Sequence, residues 1–452
     1  MPASVIDSAI FGNLFGTEAM RQVWSDENRT RKYLDVEAAL ARVQGRLGII
    51  PEKAAAEIAR NCKFEKIDMQ KLRAQTERIG YPVLGVVQQL VALCEGRLGE
   101  WCHWGATTQD ITDTATVLQI RESFSLIEQD LAAISKSLSG LAKKHRDTPM
   151  IGRSNLQQAV PVTFGYKMAG LLSAIERHRQ RLNELRPRVL MGEFAGAAGT
   201  LASLGKGALE TQEGLMKELG LAQPVIAWHT IRDTIAETGC FLGLVTGTLG
   251  KLSMDVKLLM QTEVGEVYEP FAHGRGSSST MPQKRNPISS CDIHAAAAMV
   301  RQQVAALLDA MVADHERSTG PWEIEWIALP EAFVLSAGAL DQSKFVLAGL
   351  EVDAKRMRAN LDLSNGLVVS EAVMMGLAPY LGREHAHDLV YDLCREAIKH
   401  NRPLLDLLAG NAEITKHVDR QKLAQFCDPA NYLGLSGVMV DRVLERLAAS
   451  TS

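Results

Sequence analysis

The sequence predicts an all-α protein, and three observations support this prediction. Of the 452 residues, 46% are hydrophobic but only 5% are aromatic, and alanine and leucine abound, which favours helices over β-sandwiches or barrels. No proline occurs within residues 83–148, 225–269 or 331–378, and proline-free stretches permit long uninterrupted helices. Apolar residues in the central part of the chain recur at alternating intervals of three and four, which is the period of one helix face.

Three such apolar repeats mark the central helices in chain order. They run over Val117–Leu141, Leu242–Leu259 and Ile293–Met311. Each forms a narrow apolar seam of the kind that packs helices nearly parallel in bundles. A helix over 112–146 would be about 50 Å long at ~1.5 Å per residue, which exceeds what one compact domain needs. We therefore expect these helices to pack against copies of the same chain in a homo-oligomer with closed symmetry.

The segments on either side of this central region predict shorter helices. The first 110 residues have a helical pattern with more interruptions, and glycines and prolines divide the segment after Asn365. We predict three helical domains. They are an N-terminal domain over 1–111, an elongated bundle of long helices over 112–364 and a C-terminal domain over 365–452.

Composition excludes several classes of function. The net charge is −4 and the isoelectric point is about 6.3, so a nucleic-acid partner is not expected. No apolar run approaches the ~20 residues that cross a bilayer, and the N-terminus lacks the features of a secretory signal. The seven cysteines are scattered without metal-ligand spacing. We expect reduced thiols, a cytoplasmic location, no membrane association, no metal and no cofactor.

One segment, Phe271–Pro287, does not fit a helix core. Two glycines, three consecutive serines and two prolines predict a loop. Its hydroxyl groups, together with Lys284 and Arg285, are suited to holding carboxylates. Composition alone favours an ordinary solvated surface loop, but the order of the residues changes that interpretation.

Residues Ser278–Pro287 resemble the signature loop Gly-Ser-Ser-x-Met-Pro-x-Lys-x-Asn-Pro of the fumarase/aspartase superfamily. That family includes adenylosuccinate lyase, argininosuccinate lyase, aspartase and the bacterial 3-carboxy-cis,cis-muconate cycloisomerases. His103–Asp110 resembles the family's first conserved box, and Gly152–Gly165 resembles the second. Trp24–Asn28 also matches, so the resemblance covers nearly the whole chain. The chain looks most like the cycloisomerases.

The resemblance implies a homotetramer whose central helices form one 20-helix bundle, with each active site assembled from three subunits. It also implies cofactor-free removal of a proton from the carbon next to a carboxylate of a small di- or tricarboxylate. Ser278 would act as the base in its oxyanion form, which requires nearby cations and amide donors. Lys284 and Asn286 would stabilise the developing charge. The neighbouring loop residues expected to contact substrate are Ser279, Thr280 and Met281.

The two boxes supply the remaining substrate-binding residues that the resemblance implies. Thr107 and Thr108 would donate hydrogen bonds to a substrate carboxylate, beside Asp110. Taken alone, these three residues would be interpreted as a helix N-cap, and the two roles are compatible. The second box contributes Arg153, Ser154, Asn155 and Gln157.

Departures from the family pattern bear on the substrate. Asn155 stands where many lyases have a histidine that protonates the leaving group, and Gln158 occupies the later histidine position. Neither amide can donate a full proton near neutral pH, and amines and hydroxide leave poorly without one. A carboxylate, with a pKa of ~4, needs no such help. The sequence therefore favours lactonisation. An epimerase, a C–N lyase acting on an amino- or iminodisuccinate, and a lyase expelling nitrite remain alternatives.

Three further positions affect the expected chemistry. His229 is the candidate replacement for the missing acid and His103 is the second candidate, although a lone histidine more often has a structural role. Leu14-Phe15 stand where adenylosuccinate lyases have Arg-Tyr, which argues against a nucleotide substrate. Ser277 replaces the first glycine of the loop signature and must accept that glycine's backbone angles.

Overall fold

A computed structural model describes residues 4–270 and 274–451, so the first three residues of the predicted loop segment, Phe271–His273, lie outside the described residues. The all-α prediction is confirmed. The helices before the first strand are α1 (Glu18–Val23), α2 (Asp26–Arg46), α3 (Glu52–Asn61), α4 (Met69–Ile79), α5 (Pro82–Leu93) and α6 (Thr108–Lys144). Side chains cap several of these N-termini, as Ser25 does for α2 and Asp68 for α4.

Within the described residues, the strands are short and form two separate two-stranded antiparallel sheets. β1 (Pro149–Ser154) pairs with β2 (Gln157–Thr163), and β3 (Val267–Tyr268) pairs with β4 (Glu351–Val352). The hairpin of β1 and β2 contains the second box, which the helical interpretation of the central region missed. A buried cluster of Ile151, Leu361 and Val369 packs this hairpin against the helix Ala354–Asp362 and the short segment Leu367–Val369.

The predicted long helices are present. They are α6, α7 (Phe164–Val189), α9 (Asp233–Leu259), α10 (Ile288–Asp309) and α11 (Pro321–Ala348), and the shorter α8 (Ala208–Leu219) lies between α7 and α9. The seam residues of α6 from Val117 to Leu138 are at most 1% exposed. Met311, the last member of the third repeat, lies beyond the end of α10 and is 39% exposed. The seam is thus already buried within one chain, so it does not by itself require a second copy.

The C-terminal part contains short helices, as expected from its glycines and prolines. They are α12 (Ala354–Asp362), α13 (Ser370–Leu381), α14 (Arg383–His400), α15 (Leu404–Gly410), α16 (Ala412–Thr415), α17 (Arg420–Cys427) and α18 (Ser436–Thr451). Their core includes Val373, Leu377, Leu404 and Leu423, which are fully buried. Across the described ranges, no single helix is both long and apolar enough to cross a membrane; α12 and Leu367–Leu381, a bent pair, meet that test of length and composition only together.

The chain divides into two compact units, each built from separate stretches of sequence. The first unit comprises the residues up to Leu131 together with 178–250 and 292–342. The second comprises 132–177, 251–291 and the residues from Ser343 onward. The division into three consecutive domains at residues 111 and 364 stays a prediction.

Candidate functional site

The first box lies at the N-terminus of α6, within the first unit. Asp110 is fully buried, and its carboxylate accepts hydrogen bonds from the backbone N–H of Thr107 at 2.9 Å and from those of Ala195 and Gly196 at 3.0 Å. Its Oδ1 atom also lies 2.8 Å from Nε2 of His229. Each carboxylate oxygen therefore has two partners. Asp110 ties the start of α6 to two segments that are distant in sequence.

Asp110 lies close to two other buried titratable side chains, Glu193 and His229, and the spacing of these residues in the sequence does not reveal this. Glu193 is fully buried and His229 is 3% exposed. Oε2 of Glu193 accepts the backbone N–H of Trp228 at 2.6 Å, whereas its Oε1 has no hydrogen-bond partner in the part of the chain that the structure describes. Burial raises the pKa of Glu193 to about 7. Atoms of Asp110, Glu193 and His229 lie within 4.8 Å of one another, an arrangement that could hold a metal ion. The expectation of no metal stays a prediction.

His103, at the opening of the first box, forms a second pair with a buried carboxylate. Its Nδ1 lies 2.6 Å from Oε1 of Glu37, whose side chain is 1% exposed, and the His103 side chain is 20% exposed. Burial lowers the pKa of His103, but the charge of Glu37 and its hydrogen bond outweigh that effect and raise the pKa above its ordinary value. His103 also has a φ of 59°, a left-handed conformation that is uncommon outside glycine.

Arg317 reaches the first box from the loop between α10 and α11. Its Nη1 donates to Oγ1 of Thr107 at 2.9 Å and to the carbonyl of Ala197 at 3.4 Å. Thr107 and Thr108 are both partly exposed at this point. Arg317 was not among the residues predicted to form the site. The structure thus adds a guanidinium to the two threonines.

The signature loop lies in the second unit and is closed at its base. The backbone N–H and the side-chain amide of Asn286 both donate to the carbonyl of Gly276, at 3.0 and 2.9 Å. Gly276 has a φ of +67°, and a Cβ there would lie 2.6 Å from the carbonyl oxygen of Asn286, so this position requires glycine. Ser277 pairs with Arg285 in an isolated bridge and does not have a positive φ. Serine at position 277 therefore does not have to adopt a backbone conformation that favours glycine.

Within this loop, backbone amides surround the Ser278 hydroxyl. Its Oγ accepts the N–H of Met281 at 3.0 Å and that of Thr280 at 3.3 Å. Ser278 is partly buried, whereas Ser279 and Lys284 are exposed, as are Thr280 and Met281. Two aligned N–H donors are the groups that lower the cost of forming an oxyanion on a serine.

Glu269, which precedes the loop, is hydrogen-bonded to the start of α10, which follows it. Glu269 is 4% exposed, and its carboxylate accepts the N–H of Ser290 at 2.8 Å, the Ser290 hydroxyl at 2.7 Å and the N–H of Ser289 at 3.2 Å. Arg285 forms an ion pair with Glu351 at 2.7 Å. A carboxylate at a helix N-terminus is favourable because it satisfies unpaired N–H groups and the positive end of the helix dipole.

The second box forms the tip of the β1–β2 hairpin. Ser154 pairs with Gln157 across a two-residue turn, and the turn residues Asn155 and Leu156 have φ values of 50° and 62°. This is the turn geometry that matches the twist of a hairpin. All four of these residues are exposed, Leu156 to 83%. The turn therefore presents the Asn155 side chain at the surface of the chain.

Arg153 anchors the hairpin to a buried carboxylate. Its guanidinium forms two hydrogen bonds with Glu266, at 3.0 and 2.7 Å, and Glu266 is fully buried. Asn360 donates to the same carboxylate at 2.7 Å, and the Gln158 side chain donates to the carbonyl of Asn360 at 3.1 Å. The charge of Arg153 is therefore balanced within the chain.

In the structure, the predicted site residues form three groups. The first box brings together Thr107, Thr108, Asp110 and His229 in the first unit. In the second unit, the hairpin has Ser154, Asn155 and Gln157 at its tip, and Arg153 precedes them on β1. The loop, also in the second unit, holds Ser278 to Asn286 in one turn-rich segment. The residues that sequence reasoning missed are Glu37, Glu193, Glu266 and Arg317.

Comparison with known proteins agrees with these motifs. Residues 15–302 match the family model described as "Lyase", and residues 366–443 match "Adenylosuccinate lyase C-terminus". The chain is 59% identical to trans-aconitate decarboxylase 1 of Mycosarcoma maydis, over 97% of this chain and 90% of that protein. It is 48% identical to a 3-carboxy-cis,cis-muconate cycloisomerase of Pseudomonas aeruginosa, over 96% and 95% respectively.

Structural similarity leads to the same family. The 3-carboxy-cis,cis-muconate lactonizing enzyme of Pseudomonas putida superposes with a TM-score of 0.94 at 42% identity, covering 98% of this chain and all of that one. The family matches cover most of the sequence, and the relatives match along nearly their whole length. The chain therefore belongs to the fumarase/aspartase superfamily and is an enzyme of its lyase and isomerase class.

Proposed function

We propose that this enzyme decarboxylates an unsaturated tricarboxylate of the trans-aconitate type. The observation that carries the proposal is Asn155, which occupies the tip of the second box where an eliminating lyase would need a proton donor. A reaction whose leaving group needs no proton is compatible with an amide there. Carbon dioxide is such a leaving group, and the 59% identity to a trans-aconitate decarboxylase supports this choice.

The resemblance implies removal of a proton from a carbon next to a carboxylate. The proposed reaction instead adds a proton to such a carbon. trans-Aconitate carries a CH₂–COO⁻ group next to a carbon–carbon double bond. When the bond to CO₂ breaks, its electron pair moves through the double bond onto the carbon beside a second carboxylate. That carboxylate accepts the charge as a dienediolate. A proton then adds to that carbon, which gives methylenesuccinate, and neutral CO₂ departs.

Ser278 is the proposed proton donor to that carbon. Its Oγ accepts two backbone N–H groups, which would stabilise the alkoxide that remains after proton transfer. Lys284, exposed in the same loop, would hold the carboxylate on which charge develops. Thr107, Thr108 and Arg317 would bind another carboxylate of the substrate. In the proposed homotetramer, different subunits would supply these groups.

Of the two histidines, we propose that His103 is the one that faces substrate. Nε2 of His229 is paired with Asp110 and the side chain is buried, so His229 would position the first box through that carboxylate. His103 is partly exposed, and its raised pKa favours the protonated form. Glu37 balances the charge of the protonated imidazole, and the remaining ring N–H would donate a hydrogen bond to a carboxylate of the substrate.

Incubation of the purified enzyme with trans-aconitate in D₂O tests this proposal. We expect release of CO₂ and a methylenesuccinate that carries one deuterium on the saturated carbon beside a carboxylate, measured by NMR. cis-Aconitate serves as the control for shape, since it carries the same groups in another geometry. Absence of CO₂ release from trans-aconitate would contradict the proposal.

Lactonisation of 3-carboxy-cis,cis-muconate is the second candidate. It is favoured by the 48% identity to a cycloisomerase and by the structural match to a lactonizing enzyme, and its substrate is also an unsaturated tricarboxylate. It likewise needs no histidine at Asn155. Loss of the diene absorbance on incubation would support it. Deuterium exchange in a chiral substituted succinate without alkene formation would instead indicate an epimerase, and formation of an alkene would indicate a C–N lyase.

A further inference from the structure

A cavity of about 480 Å³ lies within the first unit. Residues of α2, α4, α5, α6 and α11 line it, and none of the residues assigned above to the proposed reaction does. A cavity of this volume is within the range that binds small organic molecules. Its walls and its charges indicate which class of molecule fits.

Aromatic rings form much of the wall. Trp24, Tyr33, Trp322 and Trp326 all line the cavity. The rings of Trp322 and Trp326 meet edge to face with centroids 4.8 Å apart, which holds both indoles in place. An aromatic wall of this kind can attract a cation, because the face of an aromatic ring carries partial negative charge.

Two buried carboxylates at the cavity share one guanidinium. Arg232 donates to Asp113 at 2.6 and 3.1 Å and to Glu325 at 2.9 Å. The side chains of all three are at most 6% exposed. One positive charge therefore balances two negative charges in a region of low dielectric. This group has a surplus of one negative charge.

The other charged residues at the cavity add to that surplus. Arg29 lies 4.0 Å from Asp26, and Arg73 lies 2.9 Å from Glu77, so each guanidinium has a carboxylate partner. Glu27 also lines the cavity and forms no ion pair within residues 4–270 and 274–451. Counting Arg232, five carboxylates face three guanidiniums around this space. A polycarboxylate substrate would be repelled here, whereas a cation would be attracted.

We propose that this cavity binds a compact organic ammonium ion. The aromatic rings in its wall and its surplus of carboxylates both favour a cation over a neutral or an anionic molecule. The site does not require a polycarboxylate substrate, and it does not depend on the proposed function, because its ligand has the opposite charge to the substrate.

Calorimetric titration of the full-length enzyme with two probes of equal shape tests the proposal. Choline carries a quaternary ammonium and a hydroxyl, and 3,3-dimethyl-1-butanol is its neutral isostere. We expect choline to bind at least about tenfold more tightly, since the cation–π and charge contributions are lost in the alcohol. Equal affinities, or no binding of choline up to millimolar concentrations, would overturn the proposal.

Matched variants locate the binding. Glu27→Gln should weaken choline binding about threefold or more without changing the weak binding of the alcohol. Glu52→Gln is the control, because Glu52 is also an exposed glutamate in the first turn of a helix but does not line the cavity. Trp326→Leu should also weaken choline binding, because it removes an aromatic ring from the wall of the cavity. An equal effect of Glu27→Gln and Glu52→Gln would assign the binding to general surface charge and overturn the site.

Discussion

Ser278 has its hydroxyl oriented by contacts within its own loop. The backbone N–H groups of Thr280 and Met281 point at its Oγ, and the contacts of Asn286 with Gly276 close the loop beneath it. A serine in this setting requires less free energy to lose or regain a proton than one in water. The proposed role of Ser278 therefore depends on the geometry of one short segment.

Replacing Ser278 by alanine should reduce turnover of the substrate by about a hundred- to ten-thousand-fold, because no other hydroxyl has these two amide donors. Turnover of trans-aconitate and thermal unfolding should be measured together. The melting temperature should change little, since Ser278 is only partly buried and its two hydrogen bonds lie within an otherwise exposed loop. Ser277→Ala is the control and should keep most of the activity. Full activity of the Ser278 variant would refute the assignment.

The pairing of His103 with Glu37 predicts a pH dependence. Because Glu37 raises the pKa of His103, the imidazole stays protonated to a higher pH than an isolated histidine. If protonated His103 binds substrate, activity should fall as the pH rises through that raised pKa. In Glu37→Gln the fall should occur at lower pH. The measurement is the pH profile of kcat/KM.

Glu57→Gln is the matched control for this experiment, because it also removes a buried carboxylate from the first unit but leaves the His103 pair intact. Its pH profile should coincide with that of the unmodified enzyme. An alkaline limb that does not move in Glu37→Gln would show that another group controls the pH dependence.

Glu193 predicts a pH dependence of stability. Burial raises its pKa from 4.5 to about 7 in the folded state, so folding favours the protonated carboxyl. Its contribution to stability is complete below about pH 4.5 and is lost as the pH rises to about 7, by up to roughly 3 kcal/mol. Glu193→Gln should abolish this loss and raise the melting temperature at pH 8. Glu213→Gln, at an exposed position on α8, should change nothing; an unchanged pH dependence in Glu193→Gln would contradict the assignment.

At the scale of elements, the β1–β2 hairpin and the signature loop are held in different ways. The hairpin is tied to the buried carboxylate of Glu266 through Arg153 and Asn360. The loop is tied through Glu269 to the first turn of α10. In both cases, a buried glutamate outside the conserved segment fixes the segment in place. Each functional segment can therefore expose its tip while its base stays ordered.

One residue in the turn of the hairpin has a strained backbone conformation. Leu156 is 83% exposed and has a φ of 62°, which costs a residue with a Cβ about 1–2 kcal/mol. Leu156→Gly creates Asn-Gly, the preferred pair for this turn, and should stabilise the protein by roughly 0.5 to 1 kcal/mol in chemical denaturation. Leu156→Ala keeps the strain and should not stabilise. Destabilisation by both variants would show that a second copy covers the Leu156 side chain.

At the scale of the whole molecule, the predicted homotetramer rests on the family resemblance and on apolar side chains at the surface. The apolar seam contributes little, because nearly all of its residues are buried within a single chain. On the long helices, Leu244, Met254, Met299, Leu308 and Ile327 are between 40% and 65% exposed. Exposed apolar residues of this kind on long helices are typical of an interface.

The predicted assembly makes two measurements decisive. Light scattering should give about four times the chain mass of 49.4 kDa.

Mixed oligomers of the Ser278→Ala and Arg317→Met variants, each inactive alone, should regain up to about one quarter of the native activity if separate subunits supply the two residues. Mixed oligomers with no activity would show that one subunit supplies both residues.

The sequence by itself determined the all-α fold, the long helices and the identity of the loop and the two boxes. These features are encoded in consecutive residues: the spacing of apolar side chains, the placement of proline, and the order of serine, lysine and asparagine. The same local signals failed at the second box, where β1 and β2 lie within a region interpreted as helical. There the pairing of Ser154 with Gln157 decides the structure.

Only the tertiary structure decided which distant side chains meet. Asp110, Glu193 and His229 lie far apart in sequence, as do Glu37 and His103, and Arg153 and Glu266. No periodicity links such positions, because their contacts depend on how the helices pack. Buried charges must find partners to offset their desolvation, and packing alone determines which partners are within reach. For this reason the motifs could be found in the sequence, but the buried groups that contact them could not.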